Sequence, residues 1–391
     1  MNSNKLAWIG LGAWGAMVAA AMVACGGGGG SPPDAQGTMR FAITDAPACG
    51  YDHVWVTVEK IRVNASSNAS DTDAGWTDLT LSPAKRIDLL TLTNGVLEEL
   101  GSTPLAAGHY SQVRLVLAAN AAGSATPANA VQPTGGAVLP LTTPSGQQSG
   151  VKLLANADVA AGQMADLVLD FDACHSVVQA GNSGQYLLKP VVSVVPRTVS
   201  AIQGSLATSL APASTVVSAQ QNGTTIRATA PDASGNFSLP FLPAGSYTIV
   251  ITSDGHATGV IANVPAGATT TMIPGTAITL PASAMADVTG AVTASTGPVT
   301  DATVRATQSL SGGPVIEVAR QSVDATAATY RLRVPTAAPV KATYSGTALT
   351  FAADTAVAGK YTAEATAAGR AALTKPADVS TSTSVQVNFA Y

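Results

Sequence analysis

Leu242-Pro243-Ala244-Gly245-Ser246-Tyr247-Thr248-Ile249 is the stretch on which the fold turns. Its centre, Ala-Gly-x-Tyr, recurs as Ala107-Gly108-His109-Tyr110 and as Ala358-Gly359-Lys360-Tyr361. A strand-like run follows each time, over residues 111–117, 248–252 and 362–365. A glycine can adopt positive φ and turn the chain sharply into a strand. A tyrosine two residues on can pack its ring beneath that turn and keep its hydroxyl bonded. Three copies in one local context imply three related β-sandwich modules, with the tyrosines in structural roles.

Period-2 patterns surround these motifs. Phe41 and Ile43 alternate with small or polar neighbours before Asp45-Ala46-Pro47. Val54, Val56 and Val58 share one face of a strand, and Ile61 and Val63 continue it with the parity shifted by one. Such a slip predicts a β-bulge near Glu59-Lys60. Val113, Leu115 and Leu117 share a face, with Arg114 on the other. Residues 187–195 are mostly apolar and suit a strand closing the first module. A short helix is expected over residues 88–100, where Leu89, Leu92 and Leu97 form a loose apolar face weakened by Gly95. Charged residues make up only 11% of the 391 residues, yet the regular alternation argues against disorder. The expected class is all-β: three consecutive prealbumin- or Ig-like sandwiches. A net charge of −4 gives no electrostatic reason to bind nucleic acid.

Several segments of the first module carry a family resemblance. They are Ile43-Thr44-Asp45-Ala46-Pro47, residues 54–63, Trp76, Ile87-Asp88-Leu89-Leu90, residues 105–117, Asp170-Phe171-Asp172 and Tyr186-Leu187-Leu188-Lys189-Pro190. Together they resemble the DUF4382 family of bacterial and archaeal surface lipoproteins, across a module at residues 37–197. That family implies no activity. Residues 201–280 hold Gly204, Asp232-Ala233-Ser234-Gly235-Asn236-Phe237 and Asp254-Gly255-His256, besides the opening motif. This segment is similar to the carboxypeptidase regulatory-like family, which implies a seven-stranded prealbumin-like sandwich, also grouped with carbohydrate-binding-like folds. Residues 286–391 repeat the scheme through Gly290-Ala291-Val292, residues 301–306 and Tyr330-Arg331-Leu332-Arg333-Val334. They depart from it at Thr329, where a glycine is expected before the aromatic residue. Val385, Val387, Phe389 and Tyr391 alternate as a last strand. One such strand does not make a membrane barrel.

The N-terminus fixes an expected address. Residues 6–24 are uncharged and apolar, and Met22-Val23-Ala24-Cys25 is followed by five glycines. About 20 apolar residues can span a bilayer. Against a span stand the small residues before Cys25, the lack of a following Lys/Arg cluster, and the helix-breaking glycines. The stretch resembles a bacterial lipoprotein signal, residues 1–24. The resemblance implies diacylglyceryl and acyl (palmitate-like) chains on Cys25 and a membrane partner, since two or more chains anchor stably. Residues 25–36 form the Gly/Pro tether. With no Asp after Cys25, the expected location is the outer membrane of the cell envelope, on either face.

Candidate site residues are few. Cys49 and Cys174 remain once Cys25 is lipidated, and an even remainder outside the cytoplasm favours one disulfide. It would close about 125 residues, worth ~4–5 kcal/mol in the chain-entropy model. Two thiols, or a metal pair with His53 or His175, are the alternatives. Asp45, Asp170 and Asp172 fall at expected strand ends, where three carboxylates suit calcium. Otherwise Asp45 makes an Asx-turn, and the other two pair with Arg114 or Lys189. Trp55 and Trp76 are candidate sugar-stacking platforms. Against that, Trp55 can pack on another strand or on residues 85–100. His53, His109, His175 and His256 show no metal-ligand spacing, and no G-x-S-x-G elbow is present.

The expected function is therefore non-catalytic: a structural or adhesive envelope lipoprotein with a glycan or envelope-protein partner and no cofactor. Carbohydrate or peptidoglycan binding is the second expectation. A part in an envelope hydrolase is the third.

Overall fold

A computed structural model describes residues 36–45, 50–143, 149–181, 183–198 and 200–391. Its first module has twelve strands: β1 Gln36–Asp45, β2 Tyr51–Asn64, β3 Thr77–Asp88, β4 Glu98–Ala106, β5 Gly108–Leu117, β6 Ala130–Pro133, β7 Leu139–Thr142, β8 Val151–Val159, β9 Met164–Phe171, β10 Val177–Ala180, β11 Gln185–Leu188 and β12 Val192–Pro196. The second has seven: β13 Ala201–Ser205, β14 Thr215–Gln221, β15 Thr224–Thr229, β16 Asn236–Pro240, β17 Gly245–Ser253, β18 Gly259–Ala266 and β19 Thr271–Met272. The third contributes β20 Met285–Ala294, β21 Gly297–Pro298, β22 Thr303–Ser309, β23 Val315–Ser322, β24 Thr329–Pro335, β25 Val340–Thr343, β26 Ala352–Ala353, β27 Lys360–Thr366, β28 Leu373–Asp378, β29 Ser384–Gln386 and β30 Phe389–Ala390. The fold is all-β, and no helix among the described residues is long and apolar enough to cross a membrane.

One seven-strand plan underlies all three modules. In the second, β13 lies between antiparallel β16 and parallel β19, and the facing sheet runs β15-β14-β17-β18. In the third, β20 lies between antiparallel β24 and parallel β29, facing β23-β22-β27-β28. In the first, β1 lies between antiparallel β4 and parallel β9, facing β3-β2-β5-β8. The Ala-Gly-x-Tyr motif opens the same strand each time: β5, β17 and β27. All three tyrosines are buried. Tyr110 Oη donates to the Ala106 carbonyl at 2.9 Å and Tyr247 Oη to that of Pro243 at 2.8 Å, both four residues back. Tyr361 Oη donates to the Pro335 carbonyl at 2.6 Å. Each ring thus staples its strand to the chain that enters or neighbours it. Only the third motif uses its glycine as expected: Gly359 has φ +65°, whereas Gly108 and Gly245 are not left-handed.

A second repeat concerns strand glycines facing aromatic residues. Gly204 is paired with Phe237, and Gly290 with Tyr330. A Cβ on Gly204 would lie 2.7 Å from the Phe237 ring, and one on Gly290 would lie 2.0 Å from the Val387 carbonyl. The bare backbone makes room for the ring that covers it. This aligns Gly235-Asn236-Phe237 with Ala328-Thr329-Tyr330. The left-handed residue lies two before the ring: Gly235 at φ +84° and Ala328 at φ +53°.

The bulge stands where parity placed it, with the β2 register shifting between Val58 and Lys60 against both β3 and β5. The helix expected over residues 88–100 does not form. One 3-10 turn, Leu89–Thr91, is followed by Asn94 and Gly95 at φ 58° and 80°, and β4 begins at Glu98. Leu89 and Leu92 are buried all the same. Their spacing reflects two anchors in a turning loop rather than a helical face. Arg114 is likewise buried, because the outer face of β5 is covered at that point.

The third module does not keep all its strands. The link between β24 and β27 carries β25, which pairs in parallel with β18 of the second module, and β26, which pairs with β25. Val340, Tyr344, Leu349 and Phe351 accordingly pack in the core of the second module. Residues 35–391 form one compact unit.

Candidate functional site

The three modules line an open cavity of about 650 Å³. The first module supplies the helical turn Ala173–Ser176 and β10 to its wall. The second supplies β14, β15 and β17, and the third supplies β23 and β24.

Its charged groups are organised by local structure. Asp172 caps the helical turn: one oxygen accepts from the His175 N–H at 3.0 Å and the other meets His175 Nδ1 at 2.6 Å. Burial favours the neutral imidazole, but the Asp172 carboxylate outweighs it and the His175 pKa is raised above 6.5. Glu317, buried on β23, meets Arg320 at 2.7 Å and Arg305 at 3.2 Å. Asp324 accepts from the N–H groups of Gly181, Thr326 and Ala327 at 2.7–2.8 Å. Burial works to raise its pKa, but those donors outweigh it and hold the carboxyl below its ordinary range. Arg331 and Arg333 alternate on β24, so they share a face; they meet Asp287 at 2.8 Å and Asp254 at 2.6 Å.

The walls are fastened by buried and half-buried polar contacts. The Gln220 amide pairs with the backbone of Glu317 in both senses, donating to its carbonyl and accepting from its N–H at 2.8 Å each. Glu317 can offer both groups because β23 is the edge strand of its sheet. Lys189 Nζ donates to the Thr300 carbonyl at 2.5 Å, joining the first and third modules. Arg227 of β15 forms a buried ion pair with Asp170 of β9, donates to the Pro240 carbonyl at 3.1 Å and lies over the Phe241 ring. Asn94 accepts from the Ser238 N–H at 3.1 Å and from Thr229 Oγ1 at 3.0 Å, tying the same two modules.

The residues singled out from sequence have other partners. Asp45 accepts from the Ala173 N–H at 2.9 Å, Asp170 is paired with Arg227, and Asp172 is engaged with His175. Asp170 and Asp172 thus pair with neither Arg114 nor Lys189. Among the described residues, no group of three His, Cys, Asp or Glu side chains is arranged to hold a metal ion. The three carboxylates do not form the expected calcium set, because each is spent on a partner of its own. Trp55 is half-buried, with His53 stacked on its ring at 4.7 Å and the Arg86 guanidinium 4.6 Å from its centroid. His53 is one pleat before Trp55, and Arg86 faces Thr57, one pleat after it. A sugar would have to displace one of them. Arg62 and Arg114 face each other across β2 and β5, and the Trp76 ring lies 4.8 and 4.9 Å from them. That ring relieves a like-charge pair, which is costly when bare. Cys174 takes part in a disulfide. Cys25, Cys49, the signal and the tether lie outside the described residues.

Of the cavity residues, the sequence pointed to Asp172, Cys174 and His175 alone, each for another role. Arg331 and Arg333 had the one available signal, two like charges at period 2 in an otherwise apolar strand.

A family model described as a domain of unknown function, DUF4382, matches residues 36–190, and one described as a carboxypeptidase regulatory-like domain matches residues 201–277. The chain thus carries a DUF4382 domain followed by a carboxypeptidase regulatory-like domain. The third sandwich lies outside both matches and is assigned by its topology. No curated protein matches the chain. Among solved structures it is similar to the Bacillus anthracis TIE protein, at 11% identity and TM-score 0.19, covering 91% of this chain and 51% of that one. The chain therefore spans about half the length of that protein. It is also similar to a streptococcal ancillary pilin (9% identity, TM-score 0.17, 90% of this chain and 99% of that one). The Corynebacterium diphtheriae major pilin SpaA is a third (13%, 0.16, 90% and 99%).

Proposed function

We propose that this chain is a non-catalytic cell-envelope lipoprotein acting as a structural and adhesive binding module, held to the outer membrane by lipid on Cys25. In this reading Cys49 is the disulfide partner of Cys174. The observation that carries the proposal is the way the modules are joined. β25 of the third module extends the sheet of the second, and polar side chains cross every module boundary, buried between the first and second and between the second and third, half-buried between the first and third. Sandwiches joined only by linkers swing freely, whereas these behave as one body around a shared cavity. Such a body suits holding a partner at a fixed distance from a membrane.

Carbohydrate or peptidoglycan binding is the second reading. The cavity, lined by hydroxyl, amide and charged side chains among apolar ones, favours it over stacking on Trp55 or Trp76.

The test is expression of the full chain in a Gram-negative host with an alkyne-tagged palmitate. Label in the outer-membrane fraction, lost in Cys25→Ala, is expected. An unlabelled chain, or label that survives Cys25→Ala, overturns the anchor. Retention of the same protein on immobilised glycans, peptidoglycan or envelope proteins is expected. Failure on all three overturns the binding role.

A further inference from the structure

The acids and bases that line the cavity are not equally committed. Asp172 is spent on His175, Glu317 on Arg305 and Arg320, and Asp324 on three backbone N–H groups. Each of these acids is compensated from within the wall. Arg331 and Arg333 are different: their side chains are 63% and 50% exposed, and each meets one carboxylate through a single short contact. Exposed pairs of that kind are weak and screened by salt. A ligand carboxylate arriving in the cavity can take over those guanidiniums, which match it in a planar fork.

The rest of the lining is rich in hydroxyl and amide groups. Ser218, Thr225 and Thr252 of the second module line it, with Gln179 of the first and Ser322 of the third; the Ser218, Thr225 and Ser322 hydroxyls donate to Val250, Glu317 and His175 within the wall at 3.3–3.4 Å and exchange those long contacts for a ligand's. Such groups both donate and accept, as sugar hydroxyls require. Tyr330 is almost wholly buried, so its ring is no platform for a flat base. The volume, about 650 Å³, falls within the ordinary range of small-ligand sites.

We propose that the cavity binds an acidic oligosaccharide, with Arg331 and Arg333 receiving its carboxylates and the hydroxyl and amide side chains receiving its hydroxyls. This rests on the reading of the chain as an envelope binding module and names the ligand class of that site. The three-module wall makes the site a property of the assembled body, not of any one sandwich.

Titration calorimetry on the full chain in detergent tests it, with digalacturonic acid, lactose and inorganic phosphate as probes. Digalacturonic acid is expected to bind at least about tenfold more tightly than lactose or phosphate, since charged hydrogen bonds are the strong ones. Arg331→Gln/Arg333→Gln is expected to weaken it by about tenfold or more. Thr252→Trp, which fills the cavity from the facing wall, is expected to abolish it. Both arginines are exposed, so the double variant should melt with the parent, and binding lost without melting change reports the site itself. No binding of digalacturonic acid, equal binding of phosphate, or binding unchanged in both variants overturns the proposal. A chain that fails here but still takes lipid on Cys25 and is retained on envelope material loses only this ligand class.

Discussion

Replacing Arg227 by methionine should destabilise the chain by about 3–5 kcal/mol, the cost of stranding a charge inside a protein. Arg227 is 4% exposed and Asp170 14% exposed, and the pair joins the first two modules. Burial already pushes the Asp170 carboxyl above its ordinary 3.8, against the pull of Arg227 and a hydrogen bond from Ser193. Without Arg227 that pKa rises further. A folded-state pKa raised above the unfolded one contributes stability that is complete below the unfolded value and is lost as pH climbs through the folded value. The Arg227→Met deficit is therefore largest near pH 7 and shrinks as pH falls towards about 4. Urea unfolding, followed by tryptophan fluorescence at several pH values, measures it. Asp170→Leu/Arg227→Met should recover most of the loss, because an apolar pair needs no compensation. A single variant within about 1 kcal/mol of the parent at pH 7, or a double variant no better than the single, would refute the claim that this pair holds the boundary.

Two other contacts give separate expectations. The His175 pKa is raised above 6.5, so its contribution is complete below that value and lost as pH rises past it. The melting temperature of the parent should fall as pH rises above 6.5, and a His175→Gln chain should show a flatter profile there; equal slopes would contradict the assignment. Gln220→Leu leaves the Glu317 N–H and carbonyl without partners, at about 1–3 kcal/mol. Hydrogen exchange at the Glu317 amide should quicken markedly, and unchanged protection would mean that water replaces the side chain.

Local chemistry was legible wherever one segment determined the outcome. The bulge at Glu59 follows from a parity slip within a single strand, and the three buried tyrosines follow from a four-residue motif. Residues 88–100 misled because Leu89 and Leu92 answer to a core that sequence spacing does not show, while Asn94 and Gly95 turn the chain directly after them. The third module looked divergent at Thr329 because the matching left-handed position is Ala328, where an L side chain is uncommon. The cavity was beyond reach for another reason. Its residues run from Tyr51 to Arg333 and meet only after three sandwiches have packed. Asp170 was noticed for its charge and assigned to the wrong partner, since Arg227 lies in another module.

The donated strand also has a reason in the sequence of the edge it covers. In each module the facing sheet's own strands end on the one paired beside the Ala-Gly-x-Tyr strand: β8, β18 or β28. An open edge invites pairing with other chains unless charge or proline discourages it. β8 carries Lys152 and Asp158, and β28 carries Lys375, Pro376 and Asp378. β18, Gly259–Ala266, has no charged residue, and its first three residues are buried. Pro265 guards only its far end. The unguarded half, Gly259–Ala262, is the part that pairs with β25. In the other two modules the corresponding link is short: Ala107 alone lies between β4 and β5, and residues 241–244 lie between β16 and β17. The third module lengthens it enough to send a strand across. The edge that side chains leave unprotected is thus closed by backbone from the next module, and the same hydrogen bonds that prevent aggregation lock the second and third sandwiches together.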